Sequence, residues 1–187
     1  MKLLWHTLPV ALLAVGLPLS ASLAGELSVT VNKISAEGIG AAIGTITLKD
    51  GAHGLTLIPD LRDLPPGNHA FHIHENANCG PGIKDGRKVA GLQAGGHYDP
   101  MAKGHGMKHG GDMKHGSMKH GGPGKPHGDL PELTAAADGT ATTPVMTRKL
   151  NVEQVRGRAI MIHRYGDNEP GKPKGGGPRY ACGVIAK

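Results

Sequence analysis

His72 and His74 stand one residue apart in the run Gly67-Asn-His-Ala-Phe-His-Ile-His-Glu75. A strand repeats its side-chain direction every two residues, so both imidazoles face one side while Phe71 and Ile73 face the other. One face can then pack a core while the other offers two nitrogen donors from a rigid element. Such a pair suits a metal that accepts imidazoles in a planar array, with copper the leading candidate. By itself it fits either a metal site or two ordinary half-exposed strand histidines.

The elements that must hold this pair read as short strands. Leu27–Val31, Ala42–Leu48 and Gly54–Ile58 alternate, with Lys49-Asp50-Gly51 as a turn signal between two of them. His69–Glu75 is a further strand. Another run occupies residues 132–150, with Ala137-Asp138-Gly139 as its turn, and Arg158–His163 and Tyr180–Ala186 follow. No stretch sustains a helical period. Many short strands with Gly/Asp turns predict an all-β chain, an antiparallel sandwich or flattened barrel. Two connections break the rhythm, residues 77–131 and 164–178, rich in Gly with Lys, His or Pro. Long loops in a compact domain are functional or disordered, and the first of these carries most of the remaining histidines.

Residues 1–24 read as an export signal. Lys2 gives the positive start, Leu8–Leu19 is apolar but too short to span a bilayer, and Ser22-Leu23-Ala24 offers a small-residue cleavage site. Residues 25–187 are then one domain with a real core, and no other segment is apolar enough to cross a membrane. Cleavage removes Lys2 and lowers the formal charge of +6 by one. The remaining charge lacks the dense Lys/Arg clusters and interleaved aromatics of a nucleic-acid binder and favours small anions. Export places Cys79 and Cys182 in an oxidising compartment, so a disulfide is the expected pairing. Closing a loop of this length stabilises a fold by about 4–5 kcal/mol in the chain-entropy account.

A repeat lies inside the long connection: Met107-Lys-His109, Met113-Lys-His115 and Met118-Lys-His120, spaced by glycines. Thioethers suit Cu(I) and imidazoles suit Cu(II) or Zn(II). Residues 101–119 are therefore either a metal-gathering tether or a solvated insertion grown by repeat expansion.

Further residues extend the histidine set. His97 stands in Gly95-Gly-His-Tyr-Asp-Pro100, Asp129 in His127-Gly-Asp129-Leu-Pro131, and His163 at the end of Ile160-Met-Ile-His163. Gly166-Asp167-Asn168 and Gly175-Gly-Gly-Pro-Arg179-Tyr-Ala-Cys182-Gly-Val-Ile185 follow. With Lys84-Asp-Gly-Arg-Lys-Val-Ala-Gly-Leu92, the series resembles the copper–zinc superoxide dismutases of the exported bacterial type. The resemblance runs over nearly all of residues 25–187 except the Met-Lys-His insertion.

The resemblance implies an eight-stranded antiparallel Greek-key sandwich or flattened barrel with two long functional loops, a periplasmic location, bound copper and zinc, and superoxide anion as substrate. A homodimer is one option it allows. It makes His72, His74, His97 and His163 the copper ligands. His97 becomes the imidazolate shared with zinc, and His120, His127 and Asp129 complete the zinc site. Copper would alternate between Cu(II) and Cu(I), while zinc, which has no redox chemistry, holds the bridge and the loop. Asp167 would link a copper histidine to a zinc histidine by hydrogen bonds. Arg179 would attract and orient superoxide with a planar, permanent charge. His69 would bond loop backbone. Lys84, Lys88, Lys172 and Lys174 are solvated loop lysines that can add to an attractive field, and His53 has no assigned role.

Two points depart from the pattern. The third zinc histidine of the family stands three residues before the aspartate, whereas His127 stands two before Asp129. The second is either His120, in Lys119-His-Gly-Gly-Pro123, or His105. A second functional reading keeps the fold but makes the protein a copper buffer worked by the Met/His repeat. Retention of Arg179 beside all four copper histidines favours the enzyme, since a buffer needs no anion-orienting charge.

Overall fold

The computed structural model of the chain describes residues 26–101 and 125–187. The segment read as an export signal, His105, His120 and the whole Met/His repeat lie outside them. Eleven strands follow in order: β1 Glu26–Ser35, β2 Gly38–Gly51, β3 Gly54–Leu61, β4 Gly67–His69, β5 Phe71–His74, β6 Gly82–Lys84, β7 Arg87–Val89, β8 Leu133–Ala135, β9 Val145–Thr147, β10 Ala159–His163 and β11 Arg179–Val184. One short helix, α1 (Val152–Val155), precedes β10.

Seven strands form one curled antiparallel sheet in the order β5-β10-β11-β1-β2-β3-β9. β4 pairs with β8 and β6 with β7 in two further two-stranded pieces. This is the all-β architecture expected, and among the described residues the strands fall into eleven segments. The run His69–Glu75 is not one strand, because the chain changes sheets at Ala70. His69 pairs with Leu133, whereas Phe71 pairs with Ile162 of β10. The connection after residue 77 also holds a hairpin, β6–β7, turning at Asp85 (φ 50°) and Gly86 (φ 73°). Asp-Gly between short apolar-containing runs is the usual signal for a two-residue hairpin turn.

The turn expected at Lys49-Asp50-Gly51 falls later. β2 continues to Gly51, which pairs with Gly54, so the chain reverses at Ala52 and His53. Asp50 is used elsewhere: its Oδ1 accepts the Val152 N–H at 2.8 Å at the start of α1. Asn151 and Gln154 complete that helix start by exchanging side-chain and backbone hydrogen bonds.

Alternation sorts the core. Val29 and Val31 of β1, Ile46 and Leu48 of β2, Leu55 and Leu57 of β3, Phe71 and Ile73 of β5, and Ile160 and Ile162 of β10 all join one buried cluster. The opposite face of β10 packs Ala159 and Met161 with Ile34, Ala94, Cys79 and Cys182. Cys79 and Cys182 are joined by a disulfide with 5.8 Å between Cα atoms, pinning the loop after β5 to β11. Among the described residues no helix is long and apolar enough to cross a membrane.

Candidate metal centre

β5 is the outer strand of the large sheet, and its free edge is closed by two loop segments rather than by another strand. Tyr98 N–H donates to Ile73 O at 2.8 Å, Ile73 N–H to Gly128 O at 2.8 Å, and Gly128 N–H to Tyr98 O at 2.7 Å. These bonds set His97 opposite His74 and Asp129 opposite His72. Gly128 is required by close approach: a Cβ there would stand 2.5 Å from Ile73 O and 2.8 Å from Tyr98 O. On the inner side, β10 runs beside β5 with Met161 opposite His72, which brings His163 to the same end of the sheet. Gly176 (φ 77°) lets the second loop press onto His163, since its Cβ would meet the His163 Cβ at 2.5 Å.

The four histidines converge. One ligand atom from each of His72, His74, His97 and His163 lies within 4.8 Å of the others. The outward nitrogens are anchored: His72 Nε2–H donates to Asp167 Oδ1 at 3.1 Å, His74 Nδ1–H to Gly95 O at 3.0 Å, and His163 Nδ1–H to Gly177 O at 2.8 Å. Those bonds fix the tautomers, so His72 Nδ1, His74 Nε2 and His163 Nε2 carry lone pairs into the cluster. All three are buried with no hydrogen-bond partner. An unmet buried polar atom costs roughly 1–3 kcal/mol, so three facing one point mark a place for a shared electrophile.

Burial also keeps these rings neutral, the form that binds metal. Desolvation, with smaller contributions from neighbouring positive groups, lowers His72 to about 3, His74 to about 2 and His163 to about 4. Imidazole nitrogens converging from four histidines are a donor set that suits copper.

His97 is half-exposed, and its Nδ1 faces Asp129 Oδ1 at 2.7 Å, leaving Nε2 for the cluster. Burial opposes ionisation of Asp129, but the hydrogen bond and charge of His97 hold its carboxyl below the usual range. His97 and Asp129 are thus brought together through the ring nitrogen that His97 does not turn to the cluster. His127 is not part of the described four-residue ligand cluster: its Nδ1 sits 2.9 Å from Asp99 Oδ1, and this bond lowers the Asp99 carboxyl.

Arg179 lies opposite His163 across β10 and β11. Its guanidinium donates to Gly91 O and, at 2.6 Å, to Gly95 O, the carbonyl that also receives His74. It is half-buried, and the Gly95 carbonyl it shares with His74 sets it beside the cluster, where its charge helps depress His74, His72 and His163. His69 is buried with its ring nitrogens 2.7 Å from His163 O and Pro65 O. Lys84, Lys88, Lys172 and Lys174 are exposed, as is His53 in its turn.

Three supporting residues have no signal in the sequence. Glu132 Oε1 accepts the Asp167 N–H at 2.7 Å, Glu75 Oε2 accepts the Gly96 N–H at 2.9 Å, and Arg158 donates to Glu75 O at 2.6 Å while stacking over Tyr98. Each joins segments far apart in the chain, where periodicity and motif spacing are silent.

Comparison with known proteins agrees with this geometry. The family model described as copper/zinc superoxide dismutase matches residues 42–185. "Superoxide dismutase [Cu-Zn] 2" of Salmonella typhimurium is 45% identical over 168 residues, covering 87% of this chain and 89% of that protein. The copper–zinc superoxide dismutase of Photobacterium leiognathi is 43% identical over 182 residues, 96% of each chain. The solved Cu/Zn superoxide dismutase from Brucella abortus superposes with a TM-score of 0.71 at 37% identity, covering 86% of this chain and 99% of that one. A monomeric copper, zinc enzyme from Salmonella enterica gives 0.68 at 44% identity, with the same coverage. The chain belongs to the copper/zinc superoxide dismutase family.

Proposed function

We propose that this protein is an exported superoxide dismutase whose copper would be held by His72, His74, His97 and His163. The observation that carries this is the convergence of three unpartnered, buried imidazole nitrogens and His97 within 4.8 Å. Copper, when bound there, supplies the one-electron chemistry that oxidises one superoxide to dioxygen and reduces a second to hydrogen peroxide. The chain's own groups do the rest. Arg179 draws the anion in and orients it with a charge held by two carbonyls. His97 takes a proton at Nε2 and releases it to the forming peroxide, and the second proton comes from water. His97 Nδ1 and Asp129, 2.7 Å apart, would serve zinc, with His120 the further ligand that the family resemblance implies.

Residues 1–24 are read as the export signal, with cleavage near Ala24, leaving residues 25–187 as one periplasmic domain. The Cys79–Cys182 disulfide and the bacterial relatives support that compartment. One chain supplies all four clustered histidines, so a monomer is a complete unit; sedimentation of the mature protein separates it from a homodimer.

The Met/His insertion is read as a copper-gathering tether. Its flanks are tied to the β5 edge through Tyr98 and Gly128, beside the histidine cluster. Deleting residues 101–118 should leave turnover nearly intact at saturating copper but slow loading when copper is scarce; equal loading removes the tether. The enzyme reading itself is tested by metal analysis of purified residues 25–187 together with their superoxide consumption. Copper uptake without consumption would leave a copper-binding protein on this fold.

A further inference from the structure

The zinc side of the site departs from the spacing that the family pattern requires. The residue three positions before Asp129 is Pro126, which has no side-chain donor, and the histidine stands one position later. A slide of the segment by one residue would put His127 where Pro126 stands, but it would carry Asp129 out of place with it. The backbone forbids it. Gly128 is bonded on both sides, to Tyr98 and Ile73, and a Cβ in its place would meet the Ile73 carbonyl oxygen at 2.5 Å. No other residue type fits there, so the register of 126–129 is locked.

The chain absorbs the shorter spacing by a tight turn. Asp129 N–H donates to Pro126 O at 3.1 Å, placing His127 and Gly128 at the corners. From that corner His127 Nδ1 bonds Asp99 Oδ1 at 2.9 Å. The same Asp99 oxygen accepts the Met101 N–H at 3.0 Å, and Lys149 Nζ donates to Lys125 O at 3.3 Å. Asp99 therefore holds both the chain leaving for the Met/His insertion and the chain returning from it. Among the described residues, the one group of three or more candidate ligands is the four-histidine cluster; Asp129 and His127 form no such group.

We infer that His127 is not a zinc ligand in this protein but half of a clasp with Asp99 that closes the base of the insertion, leaving Asp129 and His97 as the described zinc-binding residues. The inference rests on the copper/zinc reading of the site, yet its test is separate from dismutation.

Co(II) in place of zinc reports its ligand set in visible absorption. The mature protein should keep the parent Co(II) bands in His127→Ala and in Asp99→Ala, and lose them in Asp129→Ala. In the metal-free protein, Asp99→Ala and His127→Ala should each lower the thermal midpoint by a similar amount, and the double variant by no more than either alone. A change in the Co(II) bands confined to His127→Ala would make His127 a ligand and overturn the inference, as would fully additive losses in midpoint. Superoxide consumption by the parent can fail without affecting either readout.

Discussion

His72 and Asp167, 95 residues apart, meet through a hydrogen bond of 3.1 Å from the ring Nε2–H to the carboxylate Oδ1. One is in the outer strand of the sheet and the other in the loop after β10, whose own N–H is held by Glu132. The bond decides which nitrogen of His72 is free, because an imidazole that donates from Nε2 presents its lone pair at Nδ1. That is the nitrogen that faces the cluster without a partner.

Removing the anchor should loosen the metal without disturbing the sheet. Asp167→Ala is expected to weaken copper binding about 10- to 100-fold, the usual cost of losing the group that orients a ligating histidine. Competition against a chromophoric chelator measures it, with circular dichroism as the control for folding. Unchanged affinity would show that packing alone orients His72.

Arg179→Ala should slow superoxide consumption and flatten its dependence on ionic strength, because the guanidinium is the positive charge beside the cluster. Copper content should not change, since Arg179 bonds carbonyl oxygens rather than a ligand nitrogen. Loss of copper in this variant would instead make the arginine a structural support of the Gly95 carbonyl.

The metal-free protein should lose stability in acid through its own ligands. In the unfolded chain these histidines titrate near 6.5; in the folded chain burial moves His72 to about 3, His74 to about 2 and His163 to about 4. Between those limits the unfolded state binds more protons, so stability rises with pH. Lowering the pH from about 6.5 toward 3 should therefore steadily reduce the urea midpoint of the metal-free protein. Bound copper should delay that loss, because protons must then compete with the metal. A midpoint flat over this window would mean that the rings are not buried in the metal-free state.

The parts visible in the sequence are those that follow local rules. Period two put His72 and His74 on one face and Phe71 and Ile73 on the other, and the core contains the second pair. A lone pair of cysteines had one partner each to find, and the disulfide joins them. Long-range choices were hidden. The change of sheet at Ala70 depends on β8 and β10 competing for neighbouring residues, which no local pattern records. The turn falls beyond Lys49-Asp50-Gly51, and the Asp50 carboxylate instead meets a helix start far along the chain. His127, which the family resemblance made a zinc ligand, has its Nδ1 2.9 Å from Asp99 Oδ1, a contact across 28 residues that motif spacing does not record.

The most direct test compares purified residues 25–187 with their His163→Ala variant, both reconstituted with copper and zinc, for removal of superoxide followed by its ultraviolet absorbance. His163 closes the cluster from β10, with its Nε2 buried and unpartnered. The parent should consume superoxide catalytically while the variant falls to the rate of uncatalysed decay. Comparable consumption by both would contradict the assignment of catalysis to this four-histidine site.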